Sequence, residues 1–190
     1  MVNILVTGAN GQLGCEIREN ISNRICLYRF FYTDAAELDI CDSAAVEKYL
    51  HDNSIELIIN CAAYTAVDKA EEPENMEQVF AINAKSAGNL ALAAHNKGIW
   101  LIHISTDYVF DGTGTEPYME EPVAERAKSV YGESKRLGEV QIMANTDKYV
   151  IIRTSWLYSS YGANFVKTML RLGAEKESLS VCLLYTSRRG

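Results

Sequence analysis

Proline and histidine are scarce in this chain of 190 residues, at three each, and basic residues are the minority among its charges: 18 Lys and Arg stand against 25 Asp and Glu, a net charge of −7. With no run of basic residues, that balance argues against a nucleic-acid surface. No long apolar segment is present, and an apolar run begins at Asn3, which leaves no place for a membrane span or an export signal and predicts a cytoplasmic protein. Cys15, Cys26, Cys41, Cys61 and Cys182 are odd in number and form no Cys-x-x-Cys pair. They are expected to be free thiols rather than a disulfide framework or a metal-binding set.

What is present alternates between two patterns. Short apolar or β-branched runs at Asn3–Thr7, Leu27–Thr33, Leu57–Cys61, Trp100–Ser105 and Tyr149–Thr154 read as strands. Between them lie helical stretches: Gln12–Asn20, a long helix over Asn75–Lys97 stopped by Gly98, another from about Val130 to Ala144, and a last one over Asn164–Leu172 stopped by Gly173. Repeated βα units with strands apolar throughout predict an α/β fold: a doubly wound Rossmann-type parallel sheet with helices on both faces and ligands at the C-terminal strand edge.

The first βα turn carries the sharpest chemical signal. Val6-Thr7-Gly8-Ala9-Asn10-Gly11-Gln12-Leu13-Gly14 joins a strand to a helix through three glycines. Without Cβ atoms at those positions, backbone N–H groups are open to a pyrophosphate at the helix N-terminus, and Gly14 lets helix and sheet approach closely. Asp34 follows the second strand, twenty positions beyond Gly14, where an acid accepts hydrogen bonds from an adenine ribose and repels a 2′-phosphate. That favours NADH over NADPH.

Farther along, Thr106 ends a strand, and Tyr131 and Lys135 lie four apart on one helical face, able to reach one ligand. Reducing a ketone by hydride needs a proton donor for the developing alkoxide. A tyrosine serves once a nearby cation lowers its pKa, a role the spacing gives to Lys135, while Thr106 donates a hydrogen bond to the substrate oxygen.

Five stretches, Thr7–Gly14, Asn60–Glu71, Ser105–Gly112, Tyr131–Lys135 and Arg153–Tyr158, together resemble the extended short-chain dehydrogenase/reductase family, and within it the dTDP-4-dehydrorhamnose reductases, over about residues 1–181. The resemblance implies NAD(P)H-dependent reduction of the C4 ketone of the sugar nucleotide dTDP-4-dehydro-L-rhamnose, with Thr106, Tyr131 and Lys135 as the catalytic set. It also implies a pyrophosphate loop at Gly8, Gly11, Gln12 and Leu13, and an adenine neighbour in Asp39-Ile40. Cys61, Ala62 and Ala63 would lie under the cofactor, Tyr64, Thr65 and Val67 near nicotinamide and substrate, and Asp107 and Trp156 against the sugar. Asn83 would support the site from the long helix. The alternatives are another sugar-nucleotide epimerase or reductase of the family, or a non-catalytic dinucleotide-binding subunit.

Mg²⁺ is associated with the family, and Glu71-Glu72-Glu74 and Glu120-Glu121 offer acidic clusters, although a solvated face explains them too. A homodimer is a further expectation. Residues 1–173 are read as the dinucleotide-binding domain with its catalytic residues, and 174–181 as the start of the remaining family fold. Residues 182–190 depart from the resemblance and read as a truncation or frameshift, with most of the sugar-nucleotide domain missing. Such a chain would bind dinucleotide better than it turns over substrate.

Overall fold

A computed structural model describes residues 1–21, 27–114, 116–120 and 126–179. Five strands, β1 (Val2–Thr7), β2 (Tyr28–Thr33), β3 (Leu57–Asn60), β4 (Trp100–Thr106) and β5 (Tyr149–Thr154), form one parallel sheet in the order β2-β1-β3-β4-β5. The α/β, doubly wound arrangement expected from the alternating pattern is therefore present. Strand order reverses beside β1, and this is the point where such sheets open a crevice at their carboxyl ends.

Alternation within β1 shows how the sheet is clothed. Leu5 points into a core shared with Val46, Leu50, Leu90, Ala94 and Ile142, drawn from helices α2 (Ser43–Asp52), α5 (Ser86–Lys97) and α6 (Val130–Asn145). Its neighbours Ile4 and Val6 face the opposite side and pack with Ile17 of α1 (Gln12–Asn20). Burying each such side chain contributes about 1.5–3 kcal/mol. Among the described residues no helix is long and apolar enough to cross a membrane.

Local chemistry fixes the helix ends. The Asp42 carboxylate accepts from the amides of Ala44 and Ala45, both at 3.0 Å, and so caps α2. Ser129 caps α6 through the Gly132 amide at 3.0 Å, and Gly98 ends α5 in the left-handed region at φ 70°.

Two helices differ from expectation. The long helix begins at Pro73 and is not uniform: α4 (Pro73–Phe80), which follows the single turn α3 (Val67–Ala70), passes through a π-helical turn, Ala81–Lys85, before α5. The apolar periodicity continues across the bulge, which hides it in sequence. The last helix, α7 (Phe165–Glu175), is capped by Asn164 and runs past Gly173, which sits within the helix without a positive φ and therefore does not terminate it. Cys15, Cys41 and Cys61 are free thiols, while Cys26, Cys182, Glu121 and the 182–190 tail lie outside the described residues.

Candidate active site

The carboxyl ends of the strands open into a cleft of about 1060 Å³. Its floor at one end is the glycine turn. Gly8 adopts φ 63°, and a Cβ there would come within 2.6 Å of the Ala62 backbone. The Gly11 amide donates to the Gly8 carbonyl at 3.0 Å, and Gly11 is the N-cap of α1 with no side chain on the first-turn donors. Gly14 does not line the cleft. A Cβ on it would meet Ala9 and the Gly8 carbonyl at 2.5–2.6 Å, so its role is the close approach of helix to turn.

Asp34 lies at the rim of the same end, where its carboxylate accepts from the Asn10 amide at 3.1 Å and the Ala35 amide at 2.8 Å. Asp39 and Ile40 line the wall beside it. The middle of the cleft is bounded by Cys61, Ala62, Ala63, Thr65 and Val67.

Thr106, Asp107, Tyr131, Lys135 and Trp156 line the same cleft. Tyr131 and Lys135 are delivered by α6, which is pressed onto its neighbours at two glycines: a Cβ on Gly132 would lie 2.3 Å from the Tyr108 carbonyl, and one on Gly138 2.3 Å from that of Asn83. The Thr106 hydroxyl lies near the Tyr131 phenol and donates to Asp107 Oδ1 at 3.3 Å, and the Tyr131 ring meets that of Tyr108 edge-on at 5.7 Å between centroids.

Burial pushes the Tyr131 phenol above its ordinary value, the nearby Thr106 hydroxyl opposes this, and Asp107 and Tyr108 add to it. Spacing alone led us to expect Lys135 to lower this pKa. In the structure the Lys135 ammonium is directed to the end of β4, where it donates to the Ile104 carbonyl at 2.7 Å and lies 3.2 Å from His103 Nε2. Lys135 is itself pushed down to about 8 by burial, against the opposing pull of Glu139 and Cys61.

Tyr64 and Asn83 do not line the cleft and act behind it. The Asn83 amide clasps the Tyr64 peptide from both sides, accepting from its N–H at 2.8 Å and donating to its carbonyl at 3.1 Å, and it donates to Ser134 Oγ at 3.0 Å. Ser134 in turn donates to the Tyr131 carbonyl at 2.7 Å. The π-helical turn that carries Asn83 thereby ties the loop after β3 to the helix bearing Tyr131.

Sequence reasoning missed several contributors. Gly162 and Ala163 close the cleft over the glycine turn, with Asn164 Nδ2 donating to Gln12 Oε1 at 3.1 Å. Arg153 forks onto buried Glu139 at 3.0 and 2.7 Å and donates to the Glu120 carbonyl at 3.0 Å, which pins the loop carrying Phe110. Trp156, 52% exposed at φ 56°, leans on Phe165 rather than entering the core. Such contacts join residues too distant in sequence for any spacing rule.

Two of the acidic residues are otherwise engaged: Glu71 accepts from the Val130 amide at 2.8 Å and Glu72 from Asn75 at 2.7 Å. Among the described residues no group of three or more His, Cys, Asp or Glu is placed to hold a metal ion.

Residues 2–183 match the family model described as RmlD substrate binding domain. The chain belongs to that family. It is 41% identical over 184 residues to the dTDP-4-dehydrorhamnose reductase of Escherichia coli K12, aligning 95% of this chain with 60% of the relative. To the spore coat polysaccharide biosynthesis protein SpsK of Bacillus subtilis it is 39% identical over 181 residues, 95% of this chain and 62% of the relative. Among solved structures, a dTDP-4-dehydrorhamnose reductase from Clostridium acetobutylicum superposes with a TM-score of 0.87 at 44% identity, covering 94% of this chain and 61% of that one. The Bacillus anthracis enzyme in complex with NADP does so with a TM-score of 0.87 at 42% identity, covering 95% and 63%. The chain thus spans about three-fifths of the length of these relatives.

Proposed function

We propose that this chain carries the dinucleotide-binding and proton-donating half of an NAD(P)H-dependent reductase that converts dTDP-4-dehydro-L-rhamnose to dTDP-L-rhamnose, for cell-surface polysaccharide. The observation that carries this reading is the convergence of two separate sequence signals on one cleft, the Gly8–Leu13 turn and the set of Thr106, Tyr131 and Lys135. Relatives about 40% identical are named for that reduction.

The open backbone at Gly8 and Gly11 suits a pyrophosphate, and Lys135 suits the ribose hydroxyls next to a nicotinamide. A reduced nicotinamide held there would supply the hydride for C4. Tyr131 donates its phenolic proton to the C4 oxygen as the carbonyl π bond breaks, and water restores that proton afterwards. Thr106, near the Tyr131 phenol, holds the carbonyl oxygen in line with it. Cys61, Ala62 and Ala63 flank the dinucleotide, and Val67, Asp107 and Trp156 flank the sugar.

Tyr131→Phe is expected to cut ketone reduction by about 10²–10⁴-fold, the usual worth of a positioned general acid, while leaving dinucleotide affinity close to wild type. The check is NAD(P)H oxidation against a panel of dTDP-, GDP- and UDP-linked keto sugars, with activity expected on the dTDP-4-keto sugar; an unchanged rate would remove Tyr131 as the acid.

The reading favours NADH over NADPH, because an acid at Asp34, on the rim of the cleft by the glycine turn, would repel a ribose 2′-phosphate. Asp34→Asn is expected to move the ratio of the two affinities towards NADPH by about tenfold, about 1.4 kcal/mol. Paired titrations with both dinucleotides decide it, and a ratio that does not move contradicts the assignment.

A further inference from the structure

His103 lies on β4, behind Lys135 and out of the cleft lining, and is 1% exposed. Its surroundings dictate which ring nitrogen carries the proton. The Ala62 amide, which can only donate, lies 3.1 Å from Asn60 Oδ1, and the Thr7 hydroxyl donates to the same oxygen at 2.7 Å. That fixes the Asn60 side chain with Nδ2 turned to His103 Nδ1, 2.9 Å away. Asn60 Nδ2 is a donor, so Nδ1 of the imidazole accepts. Burial and the adjacent Lys135 charge hold His103 well below the ordinary histidine range, so the ring is neutral and its one proton sits on Nε2. Nε2 faces Lys135 Nζ at 3.2 Å. A fixed N–H donor pointed at an ammonium, itself donor only, is a mismatch that disappears when the lysine is a neutral amine with a lone pair.

We propose that His103 is a positioning residue that, through the chain Thr7–Asn60–His103, presents a hydrogen-bond donor to Lys135 Nζ and favours the amine over the ammonium. The other ionisable groups facing Lys135 are Cys61 and Glu139. Glu139 pulls towards the ammonium but is itself shared with Arg153, and Cys61 is a protonated thiol, pushed up to about 12 by burial. His103 thereby sets the pH at which Lys135 gains the charge that holds a dinucleotide ribose. This rests on the role given to Lys135 above.

The test is NMR of the chain without any dinucleotide, labelled at the imidazole and lysine side-chain nitrogens, for wild type and His103→Gln. In wild type, His103 is expected as the Nε2–H tautomer with no titration near neutral pH, and Lys135 to titrate near 8. In H103Q the glutamine oxygen accepts from the ammonium, and the proton affinity of Lys135 rises about tenfold. The fall of NADH affinity with rising pH moves upward by the same amount. An Nδ1–H tautomer, or a Lys135 titration that H103Q leaves in place, overturns the proposal. The tautomer is read from the unaltered chain and survives a failure of H103Q to fold. An absence of NAD(P)H oxidation with every keto sugar of the panel would sink the reductase reading and leave these titrations standing.

Discussion

Lys135→Met is expected to make the protein more stable and disable it at once. The lysine is fully enclosed, and its downward displacement to about 8 from an ordinary 10.5 is a cost of carrying charge inside the fold. At neutral pH that displacement corresponds to about 3 kcal/mol. Methionine fills similar space without charge, and the loss of the hydrogen bond to the Ile104 carbonyl offsets about 1 kcal/mol of the gain. A net increase of about 2 kcal/mol is expected, which for a chain of this length raises the melting temperature by about 4–8 °C.

The pH dependence identifies the cause. Between about 8 and 10.5 the unfolded chain holds a proton on Lys135 that the folded chain has released, so wild-type stability rises with pH through that window. The methionine variant lacks this rise. Its advantage is therefore full below about 8 and shrinks as pH climbs towards 10.5. Thermal melts of both proteins across that range check it, and an advantage independent of pH would mean the lysine is not held against its charge. Dinucleotide affinity and ketone reduction should both drop in the same variant, the pattern of a site that sacrifices stability for function.

The second large effect concerns two helical glycines with opposite fates. Alanine at Gly173 meets nothing within 4 Å and gains up to about 1 kcal/mol from helix propensity. Alanine at Gly138 gains the same propensity but drives its methyl to 2.3 Å from the Asn83 carbonyl, on the π-helical turn behind the site. Backbone cannot swing aside as a side chain does, and overpacking of this kind costs about 1–3 kcal/mol or more. Gly138→Ala is therefore expected to lose about 2 kcal/mol net and to loosen the clasp of Asn83 on Tyr64, lowering activity beyond what instability explains. Chemical denaturation of the two variants side by side measures the contrast. Equal and positive changes would show that α6 and the π-helical turn are not in backbone contact.

Those two glycines also show where sequence reading succeeds and where it stops. Spacing located the strands to within a residue or two, because a buried parallel strand needs a continuous apolar run such as Val2–Thr7. It located the Gly8–Gly14 turn because a Cβ has no room at either end: one would come within 2.6 Å of the Ala62 backbone at Gly8 and 2.5 Å of Ala9 at Gly14. Gly173 was misleading because a glycine after an apolar stretch reads as a stop whether or not its backbone turns left-handed. The π-helical turn left no mark on the periodicity, although it is what aims Asn83 at Tyr64. Tyr131 and Lys135 were legible as a pair on one face, but burial, not spacing, governs both of their pKa values. His103, Arg153 and Gly162 depend on contacts between distant strands and loops, and local sequence holds no trace of these.

The most direct test is amide NMR of the unaltered chain titrated with NADH and with NADPH. The account predicts one saturable event that moves the backbone signals of Gly8, Gly11, Gln12 and Leu13 together with those of Thr106, Tyr131 and Lys135, at the same ligand concentration. Shifts confined to one of these groups, or no saturable change with either dinucleotide, would contradict it.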